Sequence, residues 1–322
     1  MEPYIRPANT QQQQCQEKAA QMNSIISEIR TLYDADTPIF TKDVIRKVGD
    51  ELDVFQKGAL KEGREITLKG INGADYKLFI APPKQHKSVN TQHHGGSTWM
   101  ISYHSIESLT AHRDIQYFNL QTAYLPMEIF ACTREIDYGP EYEEKSPVSS
   151  TEDLSRAFQD AERQWKSEHQ RRLQVGLATL ETPFILDKVV ALALGPLILG
   201  TQIYDEGMIQ HALVSDPVYT QQEKDVLSLE GFTILDDPQA FLLLDESSIL
   251  VSINPDIPVK QIVADLCRPG IIIWDKGNAN SHLCADPTSS RVADMIEKEY
   301  HEMDFPYQHK VFDIVMYIKR SA

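Results

Sequence analysis

The sequence predicts an α/β protein, with a mostly parallel sheet in the C-terminal half and an α+β region before it. Three observations carry this reading. Beyond residue 185, fully apolar runs such as "KVVALAL" and "GIIIWD" alternate with stretches of helical period, the texture of strands covered on both faces. The first sixty residues place apolar side chains at three- and four-residue steps, the helical repeat. Between Glu65 and Ile80 two β-prone runs flank Asn72-Gly73, a hairpin signal. With 322 residues, 42% hydrophobic and 24% charged, the chain has the composition of a folded globular protein and exceeds one domain of about 100–200 residues.

Taken in order, residues 1–10 and the Gln11–Gln14 run are expected to fray. From Gln16 to Tyr33 the positions Ala19, Met22, Ile25, Ile26, Ile29 and Leu32 predict an amphipathic helix. Thr41 is placed to cap a second helix carrying Val44, Ile45, Val48 and Leu52. Residues 84–150 are hard to parse, apart from a strand within "QTAYLPMEIFACTREIDY". "GPEYEEKSPVSS" has linker composition, which sets a boundary between an N-terminal region, residues 1–145, and a C-terminal domain, residues 146–322. A long helix carrying Leu154, Phe158, Ala161, Trp165 and Leu173 opens the second half. Strands follow at "KVVALAL", "HALVSD", "GFTIL", "SILVSIN", "GIIIWD" and "KVFDIVMYIK", with helices at Thr220–Leu229, Asp237–Leu244, Val259–Cys267 and Ser289–His301. The C-terminal half is therefore expected to be a mostly parallel sheet covered by helices on both faces.

A net charge of −16 repels phosphate backbones and anionic lipid, so nucleic acid and membrane surfaces are excluded as expected partners. A small molecule or a protein remains. The N-terminal stretch lacks an apolar signal core, and no apolar run reaches the length needed to span a bilayer. Four scattered cysteines show no paired spacing. A reducing compartment is expected, cytoplasmic or nuclear.

In an open parallel sheet, ligands bind beyond the carboxyl ends of the strands. Here those ends are Leu194-Gly195-Pro196, Asp216-Pro217, Asp236-Asp237, Asn254-Pro255-Asp256 and Asp275-Lys276. Such an acidic rim accepts hydrogen bonds from ribose hydroxyls or amines and repels phosphate. Asp216 stands 21 positions after Gly195, close to the spacing of about 20 between a glycine turn and a ribose-binding acid. The candidate cofactor-binding residues are thus Gly195, Asp216 and Asp256. Against this, "ALGPLILG" lacks G-x-G-x-x-G, Pro196 removes an N–H donor, and Asp216-Pro217 also reads as a simple turn. In "TQQE", Thr220 and Glu223 form a capping box.

No catalytic residue or metal site emerges. His93-His94 lacks a third ligand at helical spacing and reads as a loop; His211 reads as a packed residue and Trp274 as core. Cys267, His282 and Cys284 have no spacing that supports metal or haem.

The segments "LALGPL", "QHAL", "DPVYTQQEKDVLSLEGFTIL" and "SINPDIPVKQIVADLCRPGIIIWDKG" resemble the sensitivity-to-red-light-reduced (SRR-like) domain family, in particular its fungal branch. "PIFTKDVIRKV" and "WKSEHQRRLQVGL" are similar to fungal members too. The resemblance implies a Rossmann-like fold and a regulatory or accessory role in signalling, haem homeostasis or a secondary-metabolite pathway. Two departures stand out: Pro255-Asp256-Ile257 replaces the family's Pro-His-Cys, and only Ile198–Val214 fills the first crossover. The alternative is an enzyme using a nucleoside cofactor, S-adenosylmethionine or NAD(P). A third class is a partner-binding protein acting through its N-terminal region.

Overall fold

The computed structural model describes residues 8–57, 63–81, 97–111, 118–133, 151–168, 185–192, 211–216, 219–276, 284–305 and 313–321. The first two helices are α1 (Ala8–Asp34) and α2 (Lys42–Lys57). The Gln11–Gln14 run, expected to fray, lies within α1. Glutamine is a good helix former, and Gln13 bonds Glu17 one turn on at 3.3 Å. Met22, Ile26, Ile29 and Tyr33 form the buried stripe of α1. As the sequence predicts, Thr41 caps α2, its Oγ1 accepting the Val44 N–H at 3.2 Å.

β1 (Arg64–Lys69) and β2 (Asp75–Ile80) form the expected hairpin, with Gly73 at φ 77° in the turn, a region glycine occupies without strain. β3 (Ser97–Tyr103) leads through a short helix, α3 (Ile106–Leu109), to β4 (Met127–Thr133), which pairs back antiparallel, Tyr103 opposite Met127. β4 is the strand expected in that region; β3, with the β-prone Thr98, Trp99, Ile101 and Tyr103, is a strand the sequence reading did not name.

After α4 (Thr151–Glu168), the chain alternates β5 (Lys188–Leu192), β6 (His211–Ser215), α5 (Gln221–Leu229), β7 (Thr233–Ile234), α6 (Gln239–Leu243), β8 (Ser248–Ser252), α7 (Val259–Leu266), β9 (Ile271–Asp275), α8 (Ser290–Glu299), β10 (Tyr300–Asp304) and β11 (Ile314–Lys319). Among the described residues, seven of these strands make one sheet in the order β10-β11-β9-β8-β5-β6-β7. The five from β7 to β9 are parallel, and β11 and β10 close the other side antiparallel. The fold is α/β, Rossmann-like, with an α+β region preceding it.

One expectation needs correction at α8. The helix ends at Glu299, not His301, and Tyr300 begins an edge strand. Nothing in "EKEYHEMD" announces the change, because an edge strand with exposed Glu302 and His301 has the polar composition that protects sheet edges.

Successive residues of each strand feed opposite cores. Val190, Leu192, Leu250, Ile272 and Trp274 face α6, α7, α8 and the N-terminal region in one apolar cluster. Val189, Ala191, Val214, Ile249 and Ile273 face Phe158 of α4 and Leu227 of α5 in the other. The first cluster joins Ile45, Leu52 and Phe55 of α2 to the sheet. Polar contacts hold the same seam: Asp265 accepts the Ile39 and Phe40 N–H groups at 2.7 and 3.0 Å. Arg291 donates to Asp265 at 3.1 Å and to Thr37 O at 2.8 Å, with its guanidinium 4.0 Å over the Tyr33 ring. No described helix is long and apolar enough to cross a membrane.

Candidate functional site at the carboxyl edge of the sheet

From β5 the chain adds β6 and β7 on one side, then returns to add β8 and β9 on the other. The order reverses between β5 and β8, the crevice where such sheets bind ligands. Strand register aligns what lies there: Leu192 is level with Ser215, and Ser252 with Trp274. Immediately past that row come Asp236-Asp237 after β7, Asp216 after β6, Asn254-Pro255-Asp256 after β8, and Asp275 ending β9. Because these strands are parallel, their carboxyl ends, and with them Asp216 and Asp256, share one edge. Asp216 is 8% exposed, low in the edge, whereas Asp256 is exposed on its lip. Gly195, Pro196 and all but the last four residues of the 198–214 crossover lie outside the described residues, as do His93, His94 and His282.

The β6–α5 connection is built locally. Thr220 Oγ1 accepts the Glu223 N–H at 3.3 Å while Glu223 Oε2 accepts the Thr220 N–H at 2.7 Å, the capping box legible in the sequence. Gly231, at φ 88°, ends the helix. Tyr219 is buried beside Asp216, and its hydroxyl is held above the ordinary range by burial and then by the charges of Asp216 and Glu223.

The N-terminal region reaches this edge through Tyr103, whose hydroxyl donates to Asp237 Oδ1 at 2.6 Å. Burial pushes the Asp237 carboxyl up to about 7; the Tyr103 bond pulls it down and the Asp216 charge raises it further. Tyr103 is held well above its own usual range by burial first and Asp237 second. The edge thus sets a carboxyl raised by burial beside a buried aspartate.

On the other side of the switch point, Asn254 has φ 50°, unusual for a residue with a side chain. Its N–H donates to Asp275 Oδ1 at 3.0 Å. Behind it, Lys260, 1% exposed, lies 3.5 Å from Asp275 and 3.3 Å from Asp286. Burial pushes the Asp286 carboxyl up to about 7 against the pull of Lys260. Ser252 Oγ, buried at the end of β8, has no hydrogen-bond partner among the described residues.

The sequence reading brought Asp216 and Asp256 forward but passed over Tyr103, Lys260 and Asp286. For Lys260 and Asp286 a faint signal existed: Pro258 at the α7 N-cap supplies no side-chain oxygen, so another residue had to. Trp274 is core, 2% exposed; His211, read as packed, is exposed at the start of β6, where a strand's first residue escapes the layers. Among the described residues no set of three or more His, Cys, Asp and Glu could hold a metal. Cys267 is part-buried, and burial raises its thiol to about 11, which disfavours the thiolate a metal needs. Away from the edge, His104 Nε2 lies 3.7 Å from Glu128 in a cleft floored by Leu109 and Leu125.

No family model and no curated protein sequence matches the chain. Solved structures similar to it include an assigned O-methyltransferase from Klebsiella pneumoniae, 15% identical over 56% of this chain and 94% of that one, TM-score 0.34. Another is the N-methyltransferase NodS from Bradyrhizobium japonicum WM9, 8% identical over 49% of this chain and 97% of that one, TM-score 0.31. With TM-scores this low the two comparisons assign no activity, so the chemistry of the strand ends has to speak for itself.

Proposed function

We propose that the carboxyl edge of the sheet holds a nucleoside cofactor, with Asp216 accepting from its ribose hydroxyls, and that the chain is a nucleoside-cofactor-dependent enzyme. The observation that carries this reading is the position of Asp216: a buried carboxyl at the end of β6, one strand from the β5–β8 switch point. Doubly wound sheets place a ribose-binding acid there. The rim chooses among cofactors by charge. Asp216, Asp236, Asp256 and Asp275 gather on one edge, which repels the pyrophosphate of a dinucleotide and suits the cationic sulfonium and amine of S-adenosylmethionine.

Thermal melting with S-adenosylmethionine, adenosine and NAD tests this. A ligand at a hundredfold its Kd stabilises by about 2.7 kcal/mol, a shift of several degrees. Asp216→Ala is expected to lose at least tenfold in affinity, roughly 1.4 kcal/mol, each protein being referred to its own melt without ligand. No shift with any nucleoside at millimolar concentration overturns the reading.

The second reading is the accessory, SRR-like role that the sequence resembles. It is favoured by Phe79 and Phe130, 69% and 41% exposed on β2 and β4, large apolar side chains of the kind that partner surfaces use. It stands if every nucleoside ligand fails.

A further inference from the structure

We infer that Lys260 and Asp286 are set to join covalently: the Lys260 amine condenses with the Asp286 side-chain carboxyl to an isopeptide bond, and Asp275 takes up the proton. This stands apart from whatever fills the crevice. Lys260, Asp286 and Asp275 are 1%, 2% and 9% exposed, and the Trp274 ring lies 5.8 Å from Lys260 Nζ, so the three groups meet out of reach of bulk water. The ammonium is loosely held there. Its contacts with Asp286 Oδ2, Asp286 O and Asp275 Oδ2 run to 3.3, 3.3 and 3.5 Å, longer than the bond of about 2.7–2.9 Å that an ammonium makes to a carboxylate. They fall within the span of about 3–3.5 Å at which reacting groups stand ready.

The two oxygens of Asp286 have different surroundings, and the difference suits acyl chemistry. Oδ1 accepts the Lys260 backbone N–H at 2.9 Å, in the first turn of α7, where that donor and the positive end of the helix stabilise the charge a carbonyl oxygen gains under attack. Oδ2 is buried and has no hydrogen-bond partner among the described residues, which makes it the oxygen to depart. Burial, working against Lys260, raises this carboxyl to about 7, so the departing oxygen keeps its proton. The Lys260 ammonium passes one proton to Asp275. The Nζ lone pair then forms a bond to Asp286 Cγ, and the Cγ–Oδ2 bond breaks with its electron pair on oxygen. A second proton from Nζ joins that hydroxyl, and water leaves. No oxidant or co-reactant enters, and net charge is conserved because Asp275 ends protonated. The amide keeps Oδ1, so the α7 cap survives, as does the bond from Asn254 N–H to Asp275 Oδ1. Until the bond closes, Lys260 and Asp286 remain the ion contact described above.

Intact-mass spectrometry of the full chain, held folded at neutral pH for several days, tests this without any variant. The expected mass is lower by one water than the sequence requires. Tryptic digestion is expected to yield a branched peptide in which the Lys260 side chain is joined to that of Asp286. Lys260→Arg and Asp286→Ala are expected to keep the full mass. Asp275→Asn leaves both reacting groups in place and is expected to slow the loss of water by about a hundredfold, the scale of a lost proton acceptor. A folded wild-type chain that stays at full mass overturns the inference. So does water lost from a linear peptide, which marks a cyclised aspartate and no cross-link. An Asp275→Asn chain that condenses at the wild-type rate overturns it too, since the proton then goes elsewhere.

Discussion

Asp286 caps a helix it does not belong to: its Oδ1 accepts the backbone N–H of Lys260, 26 positions upstream, at 2.9 Å. Pro258 at the α7 N-cap makes no side-chain cap bond, so the carboxylate arrives from across the fold to meet a helix N-terminus. The same carboxyl lies 3.3 Å from Lys260 Nζ, and Lys260 in turn holds Asp275, which fixes the Asn254 turn. Buried charge thereby helps to set the strand ends at the switch point.

Removing Asp286 tests that chain of contacts. Asp286→Ala leaves the buried ammonium with Asp275, the backbone carbonyl of residue 286 and the Trp274 ring and strips the α7 cap, and is expected to cost about 3–5 kcal/mol, the range for breaking a buried ion pair. Asp286→Asn keeps an acceptor for the cap and is expected to cost about half as much. Urea denaturation of both variants measures the difference. Equal, small losses would show that the ammonium is satisfied without Asp286.

Stability is expected to fall as pH rises from about 5 to 8. Asp286 and Asp237 both titrate near 7 in the folded chain, chiefly through burial. A carboxyl raised above its unfolded value of about 4 contributes stability that is complete below that value and is lost as pH climbs through 7. Asp245 works the other way. Although burial pushes it up, bonds from Lys188 and Ser247 win and hold it at about 2, so its contribution is present above about pH 4 and lost as pH drops through 2. Melting temperature against pH should therefore peak on the acid side of neutrality, and Asp286→Asn should flatten the alkaline limb.

Thr220→Ala isolates one cap. It removes the acceptor for the Glu223 N–H and the hydroxyl's own bond to Glu223 Oε2 at 2.9 Å, while the backbone N–H of residue 220 keeps its bond to that carboxylate, at an expected cost of about 1 kcal/mol. Thr220→Ser is expected to restore most of it. Chemical denaturation resolves the two, and a Ser variant as weak as Ala would mean that the methyl packing of Thr220, not its hydroxyl, is what counts.

The strands of the main sheet were legible because burial on both faces leaves continuous apolar runs: "SILVSIN" and "GIIIWD" could only be central. Thr220, Glu223 and Gly231 were legible because capping is local, completed within three residues. The edge strand β10 was not, since its exposed residues carry no apolar signal. Nor was the Tyr103–Asp237 pair, separated by 134 positions and made by docking two regions whose own sequences say nothing of each other. Lys260 escaped for the same reason. It reads as an ordinary solvated lysine at a helix start, and only the fold reveals two carboxyls brought to it from β9 and from the segment before α8.

Asp265 gathers three donors at the seam between the N-terminal region and the sheet: the Ile39 and Phe40 N–H groups and the Arg291 guanidinium. Ile39 and Phe40 are themselves buried, so Asp265→Ala strands two backbone donors away from water, at about 1–3 kcal/mol each before relaxation. Arg291 keeps Thr37 O and its stack on Tyr33, which limits the further loss. A total of about 2–4 kcal/mol is expected, seen as a lower denaturant midpoint. The location of the damage separates this from general destabilisation: amide exchange at Ile39 and Phe40 should quicken well beyond that of Leu250 and Ile272 in the central strands. Arg291→Lys, which loses both the planar fork and the ring stack, should quicken the same two amides less. Uniform acceleration across the chain would mean that the seam opens only with the whole fold, and that Asp265 has no local role in holding the N-terminal region to it.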